Sequence, residues 1–149
     1  MNDWDVEIRP HLTPYFAYGA AALILAAHIT VGALLKIAST GVIFQTADQV
    51  AIALLGAVIA GVVLLFARPR LRVGAQGIAV RNLLAYRLIP WDEVVDVSFH
   101  RGARWARVDL PDDEYVPVLA IQAVDKDRAV AAMDTVRELL QRYKAINSR

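Results

Sequence analysis

Residues 15–35 read YFAYGAAALILAAHITVGALL, and residues 47–67 read ADQVAIALLGAVIAGVVLLFA. No Asp, Glu, Lys or Arg lies between Leu12 and Leu35, or between Gln49 and Ala67. An α-helix rises ~1.5 Å per residue, so ~20 apolar residues cross a ~30 Å hydrocarbon layer. Each run meets that length. Spans are expected at about 14–36 and 47–67, forming a transmembrane hairpin over 14–67. A hairpin buried in a soluble protein is the competing reading, but two such runs are too large a share of 149 residues. Thr13 can cap the first helix, with Pro14 in its first turn, where a missing N–H costs nothing. Thr46 and Gln49 have capping-box spacing, and Asp48 suits the positive end of the second helix dipole.

Working outward, the N-terminal segment 1–13 carries Asp3, Asp5 and Glu7. A secretory signal starts basic and has a shorter apolar stretch, so the first run is expected to be retained. Arg68, Arg70, Arg72, Arg81 and Arg87 follow the second span, whereas the connection offers only Lys36. Positive charge stays on the cytoplasmic side. Both termini are therefore expected in the cytoplasm of a plasma-membrane, multi-pass protein. The Ser39-Thr40-Gly41 loop and the apolar Val42-Ile43-Phe44 are expected outside.

Small residues are frequent in both spans, and Gly56 and Ala60 have the small-xxx-small spacing that lets helices approach. His28 is the one titratable side chain well inside a span, which makes it a functional candidate by default. No second acid, His or Lys follows it inside either helix. A proton relay would have no next station, so a neutral packing or interhelical contact is expected.

Hydrophobic residues make up 57% of the chain, above the ~45–50% of a typical soluble domain. The net charge is +1 and cysteine is absent. The first argues against nucleic acid as a partner. The second excludes disulfides, thiol catalysis and cysteine metal sites.

The remainder, 68–149, alternates like a small antiparallel β domain. Strands are expected at 71–73, 78–82, 86–91, 94–100, 105–110 and 115–122, with turns at Gly74–Gly77, Arg101–Ala103 and Pro111–Glu114. In the fourth, Val95, Val97 and Phe99 share a face. From Asp125, a candidate cap, the period turns helical. Val130, Met133, Val136, Leu140 and Tyr143 form the expected buried stripe of a closing amphipathic helix. The fold class is α+β: a two-helix transmembrane hairpin, then antiparallel strands closed by a C-terminal helix, an outline that is pleckstrin-homology-like (PH-like).

Three stretches, GIAVRN at 77–82, IPWDEV at 89–94 and FHRGARWAR at 99–107, resemble the bacterial PH-like family. This family includes small actinobacterial membrane proteins of the low-molecular-weight antigen type, in which two transmembrane helices precede the domain. The resemblance covers about 68–119 together with the order of the spans. It implies a fold and a membrane address, and it carries no catalytic residues across.

The residues themselves offer no catalytic or cofactor set. His11, His28 and His100 lie in three separate places, and Asp112-Asp113-Glu114 reads as a solvated turn, so no metal site is expected. Gly74 and Gly77 bracket a turn without the Lys-Ser/Thr of a phosphate loop. Neither an enzyme nor a small-molecule substrate is expected. The candidate contacts are Arg68, Arg70 and Arg72 after the second span, and Arg101, Arg104 and Arg107 around Trp105. Trp105 is expected to pack its hairpin or anchor a protein contact, and Trp91 is expected in the core.

Two functions follow. One is a non-catalytic accessory or scaffold subunit of a larger membrane complex, of the respiratory or envelope-assembly type, bound to other integral membrane subunits. The alternative is a membrane-anchored module that senses anionic lipid headgroups through the six arginines.

Overall fold

The computed structural model describes residues 3–37, 41 and 43–148. Of the expected outer loop, Ser39, Thr40 and Val42 lie outside the described residues, as does Met1 at the N-terminus. The chain divides into two compact units, 13–67 and the combination of 1–12 with 68–149.

The first unit holds α1 (Leu12–Ile37, shared at its first residue with the other unit) and α2 (Thr46–Leu64). Both are long and apolar enough to cross a membrane. Buried positions are few and small: Ala17, Ala21 and Gly32 on α1, Gly56 and Ala60 on α2. Leu23, Ile29, Leu34, Leu54, Leu55 and Val58 are exposed, which suits a lipid solvent.

The helix starts differ from expectation. α1 begins at Leu12, so Thr13 and Pro14 both fall inside its first turn. The backbone N–H groups of His11 and Leu12 each donate to the Asp125 carboxylate, at 3.0 Å. α2 is capped one residue early: Gln45 N–H donates to Asp48 Oδ2 at 2.8 Å, so the box is Gln45–Asp48 rather than Thr46–Gln49. Gln49 Nε2 instead donates to the Gly32 carbonyl of α1 at 2.9 Å. This satisfies an amide that lipid could not.

The second unit is two antiparallel sheets and a helix. Sheet one runs β1 (Trp4–Ile8), β2 (Arg70–Gly74), β3 (Gly77–Arg81), β4 (Tyr86–Ile89). Sheet two runs β5 (Asp96–Ser98), β6 (Trp105–Asp109), β7 (Tyr115–Gln122). α3 (Asp127–Asn147) follows. The strands form where apolar residues alternate: Leu71, Val73, Ile78, Val80 and Ile89 from one sheet meet Val97, Ala106, Val108, Val118 and Ile121 from the other. α3 adds Ala129, Met133, Val136, Leu139 and Leu140. Asn82 stitches the sheets together. Its amide donates to Pro117 O at 2.8 Å and accepts from Leu119 N–H at 3.2 Å. Gly77 sits at φ 133°, and a Cβ there would lie 2.1 Å from the Ile89 carbonyl, so the β2–β3 turn requires glycine.

β1 is the main departure. The sequence sets residues 1–13 apart from the domain, yet Trp4–Ile8 pairs antiparallel with β2, Ile8 opposite Leu71 and Glu7 opposite Arg72. The hairpin is thus an insertion between two neighbouring strands. A second tie holds β1: Trp91 donates to the Gly74 carbonyl at 2.9 Å and stacks on Tyr143 at 4.9 Å, and Tyr143 donates to the Asp5 carboxylate. That bond, first, and partial burial raise the Tyr143 pKa above 10.0.

Three smaller expectations fail. β5 spans only 96–98, so Val94 enters the core and Val95 is exposed. Val130 is 60% exposed, and Ala129 takes its place in the buried stripe. Asp125 does not cap α3; its carboxylate is committed to His11 and Leu12, and α3 follows Lys126 at φ 48° without a side-chain cap.

A polypeptide of residues 68–149 alone would leave the outer edge of β2 unpaired, and open edges associate. It should elute as oligomers in size-exclusion chromatography with light scattering. Residues 3–12 fused to it through a Gly-Ser linker should restore a monomer.

Candidate functional site

Alternation along β2 and β3 sends Leu71, Val73, Ile78 and Val80 inward, and Arg70, Arg72, Ala79 and Arg81 outward. The register aligns them in two rows. Arg70 opposes Arg81, and Arg81 opposes Tyr86; next to them Arg72 opposes Ala79, and Ala79 opposes Leu88. Arg70, Arg72, Ala79, Arg81 and Tyr86 line a depression of about 270 Å³. Ala79 is its floor, only 2% exposed although it points away from the core.

β1 brings Glu7 to the edge of this patch. Its carboxylate takes Arg9 at 2.5 Å and Arg72 at 2.6 Å, and Arg70 stands 3.8 Å away. The Arg72 hydrogen bond, the largest influence, joins Arg9 in holding the Glu7 pKa below 4.5 against partial burial. Among the described residues Arg81 makes no ion pair. Three guanidiniums, Arg9, Arg70 and Arg72, therefore share one carboxylate, and a fourth, Arg81, stands opposite Arg70.

The other expected contacts lie elsewhere. Arg68 is exposed just before β2. Arg101 and Arg104 are exposed on the connection from β5 to β6, in the other sheet. Arg107 is consumed locally: it pairs with Asp109 at 2.7 Å, donates to His100 Nε2 at 3.0 Å and lies 4.9 Å above the Tyr115 ring. Trp105 is 40% exposed, because Ala106 and Val108 take the inward positions of β6. The six arginines do not form one surface. Arg81 and Arg9, which sequence reasoning left out of the candidate set, join Arg70 and Arg72. The signal available for Arg81 was its in-phase position across the Gly74–Gly77 turn. Among the described residues no three His or acidic side chains converge as metal ligands.

Residues 68–139 match the model of the bacterial PH domain. An uncharacterized protein of Mycobacterium tuberculosis and one of Mycobacterium bovis are each 69% identical over 143 residues, 96% of this chain and 93% of theirs. The chain belongs to the bacterial PH-domain family. Low molecular weight protein antigen 6 of M. tuberculosis is 40% identical over 45 residues, 30% of this chain and 39% of that protein. No solved structure matches. The matched region of the bacterial PH domain begins just before β2, so β1 and the hairpin lie outside it.

The hairpin that interrupts this bacterial PH domain has its own polar contact. His28 Nδ1 donates to the Ile24 carbonyl of its own helix, at 2.8 Å. Its ring lies against Gly56, where a Cβ would fall 2.5 Å from His28 Cβ. Gly56 is the space that His28 occupies, and Ala60 is buried one turn on.

Gly56→Ala should lower the unfolding midpoint in detergent, followed by circular dichroism. His28→Gly, which removes the facing Cβ, should recover part of it, with a coupling on the order of 0.5–3 kcal/mol. Acid should reveal the Glu7 contact. Its folded pKa is depressed, so its stabilisation is complete above 4.5 and is lost as pH falls through the lower folded value. Thermal melts from neutral pH downward should show Glu7→Gln less stable at pH 7 and flatter through that window.

Proposed function

We propose that this protein is a non-catalytic accessory module. Its hairpin anchors it in the plasma membrane, and its PH domain docks on a neighbouring subunit of a membrane complex. The observation that carries this reading is an open groove of about 390 Å³ between Phe99 and α3. Phe99, Ala129, Val130 and Met133 supply apolar lining, and Lys126, Asp127, Asp134 and Arg137 supply balanced charge. An apolar strip with both signs of charge beside it suits a protein surface better than a polyanion. The exposed faces of α1 and α2 offer a second surface, for contact within the lipid.

Topology supports a cytoplasmic docking site. β1 and β2 pair, which requires the residues flanking the hairpin to share one side of a membrane. The arginines after the second span favour the cytoplasm for that side. Both termini then face the cytoplasm. The alternative, sensing of anionic headgroups, draws support from Arg70 and Arg72 but none from Arg101, Arg104 or Arg107.

Val130 is 60% exposed, so Val130→Asp should leave the melting temperature within about 2 °C of wild type. Purified gently from native membranes, the wild-type chain should carry defined integral membrane partners. The variant should carry several-fold less of them. A wild-type chain recovered alone at monomer mass would refute the docking role.

A further inference from the structure

The outward face of β2–β4 holds a charge arrangement that sheets normally avoid. Arg70 and Arg81 stand directly opposite each other. Opposed residues have Cβ atoms about 4.5–5.5 Å apart, and like charges there destabilise the pair. An acid opposite either would relieve it, but Tyr86 is the next residue in the row. Glu7 relieves it only in part, since Arg72 and Arg9 hold its oxygens and Arg70 pairs with it at the longer distance of 3.8 Å.

The geometry also provides a seat. The arginine arms and the Tyr86 ring wall a depression whose floor is a single methyl group, Ala79. At about 270 Å³ it lies just under the ~300–1,000 Å³ of drug-sized ligand sites. That volume suits a fragment of headgroup size. Guanidinium forks match phosphate oxygens two at a time, and the Tyr86 hydroxyl adds a donor on the same row. Four guanidiniums against one carboxylate leave three positive charges, which a dianion balances better than a monoanion. We propose that Arg70, Arg72, Arg81 and Tyr86 bind a phosphate monoester over Ala79.

The electrostatics agree with this geometry. Burial, first, and the fields of Arg9, Arg81 and Arg72 hold the Arg70 pKa below its ordinary value, with Glu7 acting in the opposite sense. The cradle stays positive with its one acid in place. The phosphate group could belong to a lipid headgroup or to a soluble metabolite. The site is separate from the Phe99–α3 groove, so its test does not depend on the docking role.

The experiment uses the full chain in a neutral detergent and isothermal titration calorimetry. The probes are glycerol 3-phosphate, dihexanoyl phosphatidic acid and dihexanoyl phosphatidylglycerol, at matched ionic strength. Both phosphomonoesters should bind, with phosphatidic acid at least tenfold tighter than the phosphodiester phosphatidylglycerol. Arg81→Gln and Arg70→Gln should each weaken phosphomonoester binding tenfold or more. Ala79→Leu, which fills the floor without changing charge, should abolish it. Without ligand, Arg81→Gln should melt at or above the wild-type temperature, because a like-charge pair is gone. Phosphatidic acid bound more than tenfold tighter than glycerol 3-phosphate identifies the lipid as the source; equal affinities identify a soluble phosphomonoester. Equal binding of phosphatidic acid and phosphatidylglycerol, or wild-type affinity in the three variants, overturns the site.

Discussion

The ladder between Trp4–Ile8 and Arg70–Gly74 is the constraint on which this structure depends. It joins the first few residues of the chain to a strand that follows two membrane-length helices. The closure cost of such a loop grows only logarithmically with its length, so inserting residues 9–69 into a β hairpin is thermodynamically mild. In return β2 becomes an interior strand, flanked by β1 and β3, and its edge is protected. The Trp91–Tyr143–Asp5 contacts hold β1 from the other direction, through α3 and the segment after β4. One five-residue strand thereby ties the sheet and α3 into a single folding unit.

β1 also makes the outer face of the first sheet what it is. It delivers Glu7 against Arg72, and Arg9 just beyond. Without it the patch would be three arginines and no acid. With it, the patch is ordered while remaining strongly positive. The hairpin uses a different economy. Its buried positions are small residues, and its one internal imidazole fills the volume left by a glycine. In lipid there is little hydrophobic reward for bringing helices together, so shape and hydrogen bonds such as that from the Gln49 side-chain amide to the Gly32 carbonyl carry the contact.

Much of this was legible in the sequence. The two spans follow from length and the absence of charge. The sheet strands follow from period-two alternation, as in Leu71/Val73 and Ala106/Val108, and the PH-like outline follows from their order. What escaped was non-local. The segment WDVEI alternates like a strand, with Trp4, Val6 and Ile8 against Asp5 and Glu7, but its partner lies beyond the hairpin, and a short charged segment in that position reads as a tail. Arg81 entered no candidate site because membership depends on the β2–β3 register. Asp125 has the spacing of a cap for α3, yet its carboxylate meets two N–H groups more than a hundred residues away. The helical stripe slipped by one residue, from Val130 to Ala129, because a short Ala fits against the sheet where the periodicity alone favours the larger side chain.

An interrupted domain imposes an order on biosynthesis. The ribosome releases β1 first, then both apolar helices, and only afterwards the strand that β1 needs. No version of the sheet can close before the second helix has left the exit tunnel. A nascent chain whose second helix fails to cross the bilayer would strand the two halves of the ladder in different compartments. Correct sheet assembly therefore requires that both apolar helices cross or that neither does.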